Sequence, residues 1–147
     1  MNKLKSKQST EILNSVYKNA QMAYEQTSDV IKHCQNRDLC RQITAQQKRY
    51  KSVALNARRE LAKRGEPAYQ APPYVKTMAK MGIAMQTAMN QSASNIARIM
   101  LKGTTMGIID MQHTINRSHC AEHSVRESAE RLLEREQDFC EDLKRFL

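Results

Sequence analysis

Tryptophan is absent from the 147 residues, phenylalanine occurs twice, proline three times and glycine four times. With so few helix breakers, and with Ala, Gln, Lys, Arg, Met and Leu in abundance, the composition is that of a helical chain. No apolar run approaches the roughly 20 residues of a membrane span, so none is expected. Lys3, Lys5 and Lys7 are not followed by the apolar segment of a signal peptide, and a cytoplasmic location is the expectation. The four cysteines, at 34, 40, 120 and 140, lack CxxC or zinc-ribbon spacing and are expected as reduced thiols.

What the chain does have is apolar periodicity at three- and four-residue steps, the repeat of a helix face. The length suits one domain with a single core. Residues 1–9 read as a flexible polar tail and 10–147 as one bundle. The first helix is expected from Ser9 or Thr10, as cap, to about Cys34. The second runs from Leu39, capped by Asp38, to about Arg64, where Gly65 and Pro67 stop it. A shorter helix over residues 74–90 follows the Pro-bearing linker, and the third long helix runs from about Ser94 to Asn116. Whether residues 74–116 make one bent helix or two stays open. The last helix spans about Glu122 to Phe146. The fold class is therefore all-α, a four-helix bundle.

The third long helix carries the most unusual stripe: Ile96, Ile99/Met100, Gly103, Met106/Gly107, Asp110, His113. Each glycine costs a helix interior about 1 kcal/mol relative to alanine. Gly103 and Gly107 are therefore expected to seat a close neighbour, either the crossover helix or a second copy of the chain. Asp110 and His113 extend an otherwise apolar stripe. The methionines of the middle third (78, 81, 85, 89, 100, 106, 111) read as core.

Two turns sit at mid-stripe with polar residues, Thr44-Ala-Gln-Gln-Lys-Arg-Tyr50 and Leu132-Leu-Glu-Arg-Glu-Gln-Asp-Phe139. With the helix lengths and order, they give the chain a resemblance to the small bacterial ferritin-like proteins whose crossover between helices 2 and 3 carries a short helix of its own. The resemblance implies a ferritin-like four-helix bundle with those two turns at the positions of the di-iron motifs. It also implies which ligands are replaced. Gln47 stands for the first Glu, Tyr50 for its His and Phe139 for the second His. Glu136 keeps the carboxylate type, Asp110 is the third-helix carboxylate, and Tyr24 or Thr27 fills the first-helix slot. That set is too small for a di-iron centre, which takes about six ligands.

Charge is unevenly spread. The net charge is +9, and residues 1–64 hold fourteen Lys and Arg against five Asp and Glu. Residues 118–147 hold five against eight. No aromatic-interleaved or recognition-helix pattern accompanies the basic half. A second cluster, His119-Cys120-Ala-Glu-His123, has i, i+4 histidines suited to a metal such as zinc or nickel, or is simply a polar turn.

The leading expectation is a non-enzymatic ferritin-like bundle without a complete di-iron site or cofactor. It would act through protein interaction or as a structural protein, with self-association as a homodimer. Two alternatives stand beside it. One is a metal-binding or redox protein that uses iron or another transition metal at Asp110, His113 and Glu136. The other is a bundle whose basic second helix, including Arg49, Arg58 and Arg59, binds nucleic acid or another anionic surface.

Overall fold

The computed structural model describes residues 2–68 and 90–147. All but Asn90 of the expected short helix over 74–90, and the methionines at 78, 81, 85 and 89, lie outside the described residues. Those residues form four helices: α1 (Asn2–Ile31), α2 (Arg37–Lys63), α3 (Ala93–Arg117) and α4 (His123–Lys144). None is long and apolar enough to cross a membrane.

Local chemistry explains most of the ends. The Asn36 side chain, rather than that of Asp38, caps α2 by accepting from the Leu39 amide at 3.0 Å. Gly65 stops that helix at φ +71°, in the left-handed region that glycine tolerates. Ser92 caps α3 by accepting from the Asn95 amide at 3.2 Å.

The largest boundary difference is at the start of the chain. The helix begins at Asn2, and Ser9 lies inside it, fully buried, where a cap was expected. Its hydroxyl donates to the Lys5 carbonyl at 2.7 Å and accepts from the Glu122 amide at 2.9 Å. Gln8 Oε1 accepts from the Cys120 amide at 2.7 Å. The turn before α4 therefore docks on residues 8–9. A polar segment of good helix formers gains from that docking what its own apolar content does not supply.

Contacts between helices define the topology. Gln47 meets Ser28, so α2 runs back along α1. Asn19 and Ser15 meet Asp110 while Gln26 meets Gly103, so α3 is antiparallel to α1. Arg64 clasps Glu122 through two bonds of 3.1 and 2.6 Å, and Tyr50 meets Glu136, so α4 is antiparallel to α2. It follows that α2 and α3 are parallel. The chain between them leaves one end of the bundle, beside Glu122, and re-enters at the other, where Gln91 bonds Gln35 at 3.2 Å. One long connection in place of a short turn excludes simple up-down-up-down order.

The apolar core is in two parts. One cluster, with Ile12, Leu61, Met111, Ile115, Val125 and Leu133, fills the end where α4 begins. The other, with Val30, Leu39, Ile43, Ile96, Met100, Phe139 and Leu143, fills the end where α4 finishes. Between them lie buried residues of neither cluster, Ala20, Ala54, Thr104, Tyr50 and Glu136. That middle layer is the candidate site.

Candidate functional site

Tyr50 is the central residue of α2, and the face that buries Ile43, Gln46, Ala54 and Ala57 carries it inward. Glu136 lies on the buried face of α4, between Leu133 and Phe139. The Tyr50 hydroxyl donates to Glu136 Oε2 at 2.9 Å, and Thr104 on α3 adds a side-chain bond to Tyr50. Both are almost fully enclosed, at 3 % and 6 % exposure. Burial raises the Glu136 carboxyl to about 7, and the Tyr50 bond opposes that rise only partly. Burial likewise lifts the Tyr50 phenol above its usual range, reinforced by the carboxylate beside it. The pair is therefore a buried hydrogen bond in the middle of the bundle whose carboxyl gains its charge only near neutrality.

The other expected slots divide. Thr27 is fully buried on α1, its hydroxyl donating to the Tyr24 carbonyl at 2.8 Å, and Phe139 is 1 % exposed. Gln47 turns sideways and donates to Ser28 Oγ at 2.6 Å, whereas its neighbour Gln46 is the buried one.

The Asp110–His113–Glu136 grouping does not assemble. Asp110 packs on the flank of α1, accepting from Asn19 at 2.7 Å and Ser15 at 3.1 Å, with Lys18 at 3.9 Å and the Asp110 side chain 39 % exposed. His113 faces solvent. The reason lies in helical phase. The expected stripe advanced about 3.4 residues per turn, drawn off by Met106, which is in fact exposed. The buried positions advance about 3.8 residues per turn, through Ile96, Met100, Thr104, Met111 and Ile115, so the inward polar residue of α3 is Thr104. The continuation of the stripe four residues past Met100 was the available signal for it.

His119 and His123 are both exposed, and His123 Nε2 lies 3.6 Å from Glu127 Oε2, an (i, i+4) surface pair. Cys120 neighbours them in sequence, but the turn with His33, Cys34 and Cys40 is at the opposite end, because α2 and α3 are parallel. Among the described residues, no three His, Cys, Asp or Glu side chains are placed to hold a metal ion.

Gly103 and Gly107 face α1. A methyl group at Gly103 would meet the Gln26 carboxamide, and one at Gly107 would touch Asn19 Oδ1 at 3.4 Å, an ordinary contact. What the glycines seat is thus a polar stretch of α1. Gly107→Ala should stabilise the protein by about 1 kcal/mol, since the space exists and alanine is the better helix former. Urea unfolding of the variant would show it as a higher midpoint at unchanged slope.

The outer face of α2 is the other feature of note. Arg41, Lys48, Arg49, Lys51, Arg58, Arg59 and Lys63 are all exposed. Arg41 lies 4.0 Å from Asp38, and Lys63 3.1 Å from Glu60. Among the described residues no carboxylate pairs with Lys48, Arg49, Lys51, Arg58 or Arg59. On α4, by contrast, Arg126, Arg131 and Lys144 each have a glutamate of their own helix within reach.

No protein-family model matches the chain, and comparison with curated proteins and with solved structures returns no match.

Proposed function

We propose that the chain is a non-enzymatic bundle of ferritin-like type whose work is binding, and that the outer face of α2 holds the phosphate backbone of double-stranded nucleic acid. The observation that carries this is the row of five basic side chains without carboxylate partners among the described residues. Arg41, Lys48, Arg59 and Lys63 recur at close to multiples of 3.6 residues, opposite the buried Ile43–Tyr50–Leu61 face. The five cations without carboxylate partners span about 17 Å of helix, extended to about 33 Å by Arg41 and Lys63, which also lie near Asp38 and Glu60. A row of cations of that length suits a polyanion with closely spaced charges, and counterion release would supply the affinity.

The same face offers no exposed aromatic ring on which bases of a single strand would stack, which favours a duplex. Its one large exposed apolar residue is Leu55, too little for insertion into a lipid surface. The ferritin-like part of the reading is supported by one long connection between parallel α2 and α3 and by a polar middle layer at the turns of Tyr50 and Glu136. The Tyr50–Glu136 bond and the Phe139 ring occupy that layer, which favours structure over redox chemistry.

Fluorescence anisotropy with a mixed-sequence DNA duplex tests the proposal. Five phosphate contacts predict that affinity falls about 500-fold between about 50 and 200 mM salt. Charge reversal of Lys48, Lys51, Arg58 and Arg59 to glutamate, in a variant whose circular dichroism is unchanged, should abolish binding. Salt-independent binding, or equal binding by the variant, would overturn it. Binding to anionic vesicles with none to duplex would replace the partner by a membrane surface.

A further inference from the structure

The turn between α1 and α2 brings two cysteines together at the end of the bundle remote from Glu122. Cys34 follows the last turn of α1, its amide donating to the Ile31 carbonyl at 3.2 Å. Cys40 lies in the first turn of α2, its amide donating to the Asn36 carbonyl at 2.9 Å. The Cys34 thiol points at that same carbonyl, 3.8 Å away. The Asn36 carbonyl thus lies against both cysteines, the Cys40 side chain adjoins the Cys34 thiol, and both residues are only partly buried. Cys120 lies in the turn at the other end, and the groups around the Cys140 thiol are Thr105, Glu136, Lys144 and Glu141. Neither has a cysteine neighbour among the described residues.

We propose that Cys34 and Cys40 form a reversible dithiol–disulfide site for small two-electron oxidants of the peroxide class. Two sulfurs suffice for this chemistry, whereas a metal site would need further ligands that the turn does not supply. The two cysteines take different parts. Burial and the adjacent Cys40 push the Cys34 thiol up to about 12, so it keeps its proton and Cys40 attacks first. The Cys40 sulfur bonds to one peroxide oxygen, the O–O bond breaks, and one water departs, leaving a sulfenic acid on Cys40. The Cys34 sulfur then attacks the Cys40 sulfur, and the displaced hydroxyl leaves as a second water with the Cys34 proton. One hydrogen peroxide is reduced to two waters, and two thiols are oxidised to one disulfide. The product clamps the end of α1 to the first turn of α2.

The test uses the whole chain, reduced and then exposed to one equivalent of hydrogen peroxide. Free thiols are alkylated, and peptides are mapped by mass spectrometry without reductant. The expected result is that two of the four thiols resist alkylation, that the Cys34 and Cys40 peptides are joined, and that dithiothreitol frees them. In Cys34→Ser, no intramolecular link should form, and Cys40 should be trapped by dimedone as the sulfenic acid. The proposal is overturned if all four thiols remain alkylatable, if the link involves Cys120 or Cys140 or a second chain, or if Cys34→Ser loses two thiols as before.

Discussion

Glu136→Gln should make the protein more stable above pH 7, by about 3 kcal/mol, although it removes a charged group from the centre of the bundle. The Glu136 carboxyl titrates near 4.5 when unfolded and at about 7 when folded. Below pH 4.5 it is protonated in both states and favours neither. Between 4.5 and 7 the unfolded chain releases the proton while the folded chain keeps it, so stability falls as pH rises. Above 7 the loss is complete, and two and a half pH units correspond to the figure given.

Glutamine has nearly the same shape, and its carbonyl oxygen can still accept from the Tyr50 hydroxyl, so the amide retains the bond without the cost of a buried charge. Urea unfolding of both proteins across pH 4 to 8 checks this. The difference between them should be small at the acid end, grow through the interval and level off above neutrality. A constant difference at every pH would mean that the carboxyl titrates near its ordinary value and is solvated when folded.

Phe139→Ala should cost about 3–5 kcal/mol, the range for emptying a large aromatic site in a packed core. The ring is 1 % exposed and packs with Ile43, Ile96, Met100 and Leu143 in the cluster at the α4 C-terminal end. Against a total of about 5–15 kcal/mol for a domain of this kind, that is enough to leave much of the population unfolded near physiological temperature. Phe139→Leu keeps the apolar character and most of the volume, and should lose less than about 2 kcal/mol. Chemical denaturation of the pair separates packing from any polar role. Equal losses in the two variants would show that the cluster does not close around the ring.

Most of the helices could be read from the sequence because their signals are local. The α2 stripe Leu39, Ile43, Tyr50, Ala54, Ala57 and Leu61 is the buried face, and Gly65 ends that helix as a left-handed glycine should. The α4 stripe Val125, Ala129, Leu132/Leu133, Glu136, Phe139 and Leu143 is also the buried one. Helical periodicity alone therefore puts Tyr50 and Glu136 inside the bundle. What failed was phase over a long, ambiguous segment. In α3, Met106 and the two glycines offered an apolar-looking path that drifted off the true face, carrying Asp110 and His113 into a core position they do not hold. The N-terminal extension of α1 failed for a different reason. Residues 2–8 have little apolar content, and their helix is joined to the bundle by hydrogen bonds to a turn more than a hundred residues away.

By itself, then, the sequence determined that the chain is helical, which faces of α2 and α4 are buried, and that its first half is strongly basic. Each follows from periodicity, capping or charge count, which act over one or two turns. Tertiary structure decided the parallel course of α2 and α3, the pairing of Tyr50 with Glu136 across 86 residues, the placing of Cys40 beside the Cys34 thiol, and the lack of carboxylate partners beside five of the α2 cations among the described residues. These depend on which helix lies against which and in what direction. Chain direction across a long connection is set by the sum of all the packed faces, and no short stretch of residues encodes it.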